Sequence, residues 1–238
     1  MIRGAEEAKE LVGRKAAERV EDGMVLGLGT GSTVRHFLRA LGERIRSGSL
    51  THVEGVPTSE WTRAVAVAEK IPLVDLREGV EVSLAVDGAD EVAPNLDLLK
   101  GLGGALLREK IVAQAAGRFL VIADEGKLVR MLGETKPLPV EVVPFGWSAH
   151  LPYFRSLGAH PEIRTREDGQ PFVTDNGNYV VDLRFEGGLP EPRGAEEALR
   201  DRSGVVTTGL FLGMAAEALV AGEDGVRELT RGEPASWH

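Results

Sequence analysis

Four short strand-like runs within residues 24–123 of this chain each end in a loop of glycine, hydroxyl or acidic residues. Residues 24–28 run into Gly29-Thr30-Gly31-Ser32-Thr33, and 52–56 into Pro57-Thr58-Ser59. Residues 82–86 run into Asp87-Gly88-Ala89-Asp90-Glu91, and 119–123 into Asp124-Glu125-Gly126-Lys127. Between them lie helical patterns. Ala8, Leu11, Val12, Ala16 and Val20 share one face, as do Val34, Phe37, Leu38, Leu41 and Ile45. Ser59 reads as the N-cap of a helix reaching about residue 70, and 105–116 is helical. A further strand is expected at 73–76. Strands alternating with helices imply a mostly parallel sheet covered on both faces. Ligands bind such sheets outside the carboxyl ends of the strands, where these loops fall.

The texture changes near Lys136. The rest reads strand (140–143), helix (148–157), strand (162–165), strand (179–185), helix (194–200), strand (205–210), with Gly- and Asn-rich turns. That βαββαβ order is the ferredoxin-like pattern. The expected division is 1–132 and 207–238 for a Rossmann-like catalytic domain, with 133–206 as an inserted α+β domain.

At 238 residues the chain is long enough for a full core. Without cysteine, disulfides, thiolate metal sites and a thiol nucleophile are excluded. No apolar run approaches a membrane span and the N-terminus is not signal-like, so the expected location is the cytoplasm. The net charge of −9 disfavours nucleic acid and acidic membranes as partners. An anionic small molecule would have to be held by local groups, such as helix-start N–H groups and placed lysines. Only seven of the 28 basic residues are lysines, so those in loops stand out.

The first loop fits neither a dinucleotide fingerprint, since Ser32 stands where the third glycine belongs, nor a P-loop, since it has no Lys. A glycine-rich turn serving packing alone competes with a monophosphate cradle, and the cradle fits better. The run from Asp87 to Glu91 places three carboxylates at one strand end, suited to the hydroxyl end of a sugar and to moving protons. A solvated, helix-capping turn is the alternative. Lys100-Gly101-Leu102-Gly103-Gly104 leads into a helix carrying Arg108, Glu109 and Lys110, with Lys100 free to balance charge on an oxygen. Glu109 either points back to the strand ends or is an exposed helix carboxylate, and spacing alone leaves both readings open. The five histidines show no ligand spacing, and Ser32 has no partner base.

Together, 27–33, 87–91, 100–110, 136–142, Val173-Thr174-Asp175-Asn176-Gly177-Asn178 and Gly204-Val205-Val206-Thr207 resemble ribose-5-phosphate isomerase of type A, in order and with fitting spacing. The resemblance implies a cofactor-free aldose–ketose isomerase of the pentose phosphate pathway, a homodimer or homotetramer acting on a small sugar phosphate. By that resemblance Glu109 is the catalytic base, with Asp87, Asp90 and Lys100 around the reacting oxygens. Thr30, Gly31, Ser32, Thr33, Lys100, Gly101, Leu102, Gly103 and Lys127 match substrate-binding stretches, joined by Gly88 and Ala89 between the aspartates. Lys9 is expected to approach the phosphate, and Leu102 departs from the family's usual glycine. The expected mechanism passes a carbon proton between C1 and C2 through a cis-enediolate, with Asp87 shuttling the hydroxyl proton or helping to open the furanose ring, and Asp90 orienting it. A deaminating sugar-phosphate isomerase and a non-catalytic sugar-phosphate sensor are the competing readings.

Overall fold

The computed structural model describes residues 4–233. In chain order, α1 (Ala5–Ala17) is followed by β1 (Val25–Leu28), α2 (Ser32–Arg46), β2 (Glu54–Pro57) and α3 (Glu60–Ala68). Next come β3 (Leu84–Gly88), β4 (Glu91–Val92), β5 (Leu98–Leu99), α4 (Leu106–Ala115) and β6 (Phe119–Asp124). β7 (Leu138–Val142), α5 (Leu151–Ser156), β8 (Ala159–Ile163), β9 (Tyr179–Phe185), α6 (Pro192–Arg200) and β10 (Val205–Thr208) continue the chain. β11 (Leu210–Phe211), β12 (Glu217–Gly222) and β13 (Gly225–Thr230) complete it.

One six-stranded sheet has the order β13-β12-β6-β3-β1-β2, parallel except at the β12–β13 edge. Alternate strand residues divide between two cores, as the pleat requires. Leu26, Leu28, Val86, Leu120, Ile122 and Leu219 face α1 and α2. Ala85, Phe119, Val121, Ala218 and Val220 face α4 and a small three-stranded sheet, β11-β5-β4. β7 to β10 form a separate antiparallel sheet of order β10-β7-β9-β8, the ferredoxin-like arrangement, over a core that includes Val140, Val181, Leu183, Phe154 and Leu199.

The structure corrects the sequence reading in several places. Residues 73–76 form no strand, and Leu73 makes only an isolated bridge to Gly55. The strand expected at 162–165 begins earlier, at Ala159, and the helix expected over 148–157 is a 3-10 turn leading into the shorter α5. The two-residue strands β4, β5 and β11 were not foreseen. Ser59 caps α3 as read, its side chain accepting from the Thr62 N–H. Arg108 of α4 binds Glu60 of α3 and the 175–176 turn of the antiparallel unit, joining the two units across one edge.

Candidate active site

The parallel arrangement brings the carboxyl ends of β1, β3 and β6 to one edge, and a cavity of about 130 Å³ opens there. Its walls come from Thr30, Gly31, Ser32 and Thr33 after β1, Gly88, Ala89 and Asp90 after β3, and Lys127 after β6. Val34, Lys100, Gly101, Gly103 and Glu109 complete it.

Each wall has a local cause. The first loop turns through Gly31, whose φ of 129° favours glycine. Gly29 is needed for another reason: a Cβ there would collide with the Asp87 carboxylate. α2 starts at Ser32, and its first internal bond is from the Arg35 N–H to Gly31 O, leaving the N–H groups of Ser32, Thr33 and Val34 without helical acceptors. They present a partial positive charge beside the ammonium of Lys127, which has no ion-pair partner among the described residues. Thr30 does not offer its hydroxyl to the cavity, because Oγ1 lies 2.9 Å from each of Thr58 Oγ1, Ser59 Oγ and Thr62 Oγ1. The Ser32 and Thr33 hydroxyls have no such partners among the described residues.

Lys100 is buried at the cavity floor. Its Nζ donates to Gly88 O at 2.7 Å and lies 3.0 Å from Asp87 Oδ2 and 3.2 Å from Glu109 Oε1. Asp87 is saturated: Oδ1 accepts from the N–H groups of Thr30 at 3.0 Å and Gly88 at 2.7 Å. It lies beneath the floor rather than in it, while Asp90 reaches the wall and accepts from the Leu102 N–H at 3.0 Å. Glu109 is not an exposed helix carboxylate. α4 buries Leu106, Glu109, Lys110 and Ala113 along one stripe, so an acid occupies a core position. Its Oε2 is buried and has no hydrogen-bond partner among the described residues.

Two buried carboxylates share one ammonium, leaving one negative charge in excess. Burial raises the Glu109 pKa to about 8, the Asp87 charge adds to the rise, and Lys100 opposes it. Burial likewise pushes Asp87 up against the pull of Lys100 and two N–H donors. For Lys100, burial disfavours the charged form, but the carboxylates of Asp87 and Glu109 outweigh it and hold the pKa above its ordinary value. The arrangement suits one proton moving on and off Glu109 near neutrality, while Lys100 stays charged.

Three expected members stand elsewhere. Glu91 turns away from the site, its carboxylate accepting from the N–H groups of Gly133, Thr135 and Lys136 at 2.5, 2.7 and 2.8 Å. Lys9 is absent from the cavity wall and binds Glu6 at 2.7 Å. Leu102 follows the wall but does not line it, and no positive φ is forced on its side chain. Arg164, which sequence reasoning missed, donates to the carbonyls of Gly101 and Leu102 behind the loop. No group of three or more His, Cys, Asp or Glu side chains that could hold a metal occurs among the described residues.

The family model described as ribose 5-phosphate isomerase A (phosphoriboisomerase A) matches residues 54–225. Ribose-5-phosphate isomerase A of Roseiflexus castenholzii is 50% identical over 91% of this chain and 94% of its own length. That of Thermomicrobium roseum is 47% identical over 98% of both. A solved D-ribose-5-phosphate isomerase in complex with phospho-erythronic acid superposes with a TM-score of 0.93 at 39% identity, covering 96% of this chain and 100% of that one. The enzyme from Methanocaldococcus jannaschii gives 0.89 at 41% identity, covering 94% and 99%.

Proposed function

The chain belongs to the ribose 5-phosphate isomerase A family and interconverts ribose 5-phosphate and ribulose 5-phosphate, and we propose that it does so with Glu109 as the single base of a cis-enediolate mechanism. The observation that carries this reading is the Oε2 of Glu109, buried at the cavity and without a partner while Oε1 is held by Lys100. Ionised, that oxygen takes the C2 proton of the open-chain aldose. Protonated, it returns the proton to C1. Lys100, itself buried, balances the charge that grows on the substrate oxygen. Asp87, held beneath the floor by Lys100 and two N–H groups, fixes Lys100 instead of shuttling the hydroxyl proton as expected, and Asp90, which lines the wall, takes over that transfer. The α2 N-terminus with the Ser32 and Thr33 hydroxyls and Lys127 forms the phosphate end, about which the reacting carbons are positioned.

The division into 1–132 with 207–238 and an inserted 133–206, a homodimeric or homotetrameric state, a cytoplasmic location and a role in the pentose phosphate pathway complete the proposal. The return of β12 to the main sheet beside β6 supports an insertion, and β10, which pairs with β7 as far as Thr208, carries the inserted unit two residues past its expected end. No helix among the described residues is long and apolar enough to cross a membrane.

The test is proton NMR of ribose 5-phosphate with the protein in deuterated water. Wild type should place solvent deuterium on carbon as ribulose 5-phosphate forms. Glu109→Gln should do neither, while still binding ribose 5-phosphate within about tenfold, roughly 1.4 kcal/mol. Near wild-type isomerisation by Glu109→Gln would move the base to Asp90.

A further inference from the structure

We infer that Arg164, which follows β8 in the antiparallel unit, is a positioning residue for the reaction: it orients the 100–104 loop so that the Gly103 N–H faces the oxygen on which charge develops. The inference rests on the roles proposed above for Glu109 and Lys100.

Arg164 is itself fixed. Its Nε donates to Asp182 Oδ2 at 2.8 Å and its Nη2 to Asp182 Oδ1, a two-pronged pair. A guanidinium is planar and rigid, so seating one edge on a carboxylate sets where the other edge points. The remaining Nη1 donates to Gly101 O at 3.0 Å and to Leu102 O at 2.8 Å. Phe172 flanks the group, with the guanidinium carbon 5.9 Å from its ring centre. The same ring leaves no room for a Cβ on Gly104.

In a trans peptide the C=O and N–H point in opposite directions. The Gly101 carbonyl is on Arg164, so the next N–H, that of Leu102, is turned the other way. It donates to Asp90 Oδ2, a group of the cavity wall. The same rule applies one peptide later. With the Leu102 carbonyl on Arg164, the Gly103 N–H is turned from Arg164, and it has no acceptor among the described residues. Gly103 lines the cavity. A free N–H held rigidly at that wall, on the loop that begins with Lys100, is a second donor for a substrate oxyanion. Arg164 does not itself line the cavity but holds Gly101, which does, and its side chain is 14% exposed, so it acts through the loop.

Arg164→Met keeps the stem and removes the donors. Its kcat should fall about tenfold to a hundredfold, the scale of one misaimed oxyanion donor, with KM for ribose 5-phosphate changed much less. A hydroxamate bearing a terminal phosphate, a planar mimic of the enediolate, should lose affinity by the same factor as kcat. Inorganic phosphate should bind as to wild type. Arg164→Lys, which keeps the charge opposite Asp182 and can donate to one carbonyl, should recover part of both losses. Unchanged hydroxamate affinity in folded Arg164→Met overturns the inference, and so do equal losses for hydroxamate and inorganic phosphate, the mark of general loosening. If Arg164→Met does not fold, the same pair of affinities in Arg164→Lys decides. Failure of the base assignment is distinct, since Glu109→Gln would then remain active whatever the Arg164 variants show.

Discussion

The Nζ of Lys100 stands 3.2 Å from Oε1 of Glu109, which ties down one oxygen of the carboxylate and leaves the other buried and unpartnered. The pairing separates two tasks. The ammonium keeps its charge through the cycle, and the carboxylate gains and loses a proton. Because Asp87 holds the same ammonium at 3.0 Å, Lys100 cannot fully neutralise either acid.

Lys100→Ala should lower turnover by about a hundredfold or more, the scale of losing one stabiliser of developing negative charge. It should also erase the advantage in affinity that a planar enediolate mimic with a terminal phosphate holds over substrate. Steady-state kinetics and mimic titration check both. A variant that binds the mimic as wild type does would remove Lys100 from the reacting oxygen.

The pH profile of kcat/KM should carry an acid limb near the Glu109 pKa of about 8, because only the ionised carboxylate can accept the carbon proton. Burial is the first cause of that high value and persists in Asp87→Asn, but the second, the Asp87 charge, is removed. The limb should therefore move to lower pH in Asp87→Asn, even as the maximal rate falls through poorer placement of Lys100. A limb that stays or moves upward would mean that Glu109 does not feel Asp87.

The phosphate end should respond differently. Thr33→Val and Ser32→Ala each remove a free hydroxyl at the start of α2, so KM should rise about tenfold for either, with kcat nearly kept, as for loss of binding shared by ground and transition states. Thr30→Val removes a hydroxyl shared with Thr58, Ser59 and Thr62, and should chiefly lower the melting temperature. Thermal scans beside substrate titrations separate the two behaviours. Loss of kcat alone in Thr33→Val would contradict the assignment.

Much of this was legible because the parallel sheet turns sequence punctuation into spatial neighbourhood. The loops at 29–33, 87–91 and 124–127 sit far apart in the chain and meet at one edge. The fate of Glu91 was less visible. It opens β4, and successive side chains of an extended segment point to opposite sides, so Asp90 at the wall sends Glu91 to the 133–136 backbone. Two-residue strands such as β4, β5 and β11 are too short to show any period. Glu109 could have been placed by a stricter use of helical spacing, because it falls on the stripe of Leu106 and Ala113. Arg164 could not, since its role depends on carbonyls more than sixty residues earlier in the chain.

Glu109→Gln should be more stable than wild type at alkaline pH and nearly equal to it at pH 5. In the folded protein the Glu109 pKa rises from the usual 4.5 to about 8, through burial first and the Asp87 charge second. A group whose folded pKa is raised contributes stability that is present below its unfolded pKa and is lost as pH rises through the folded value. Wild type should thus lose stability relative to the neutral variant between about pH 4.5 and 8. The glutamine oxygen can still accept from Lys100, and Asp87 still balances the ammonium, so little is lost in exchange. The difference at pH 9 should be on the order of one to a few kcal/mol, given about 1.4 kcal/mol per pKa unit. Urea unfolding of both proteins at pH 5 and pH 9 reads it directly. Parallel pH dependence of the two midpoints would mean that Glu109 is ionised in the fold at no cost, and the strained carboxylate would have no place in the mechanism.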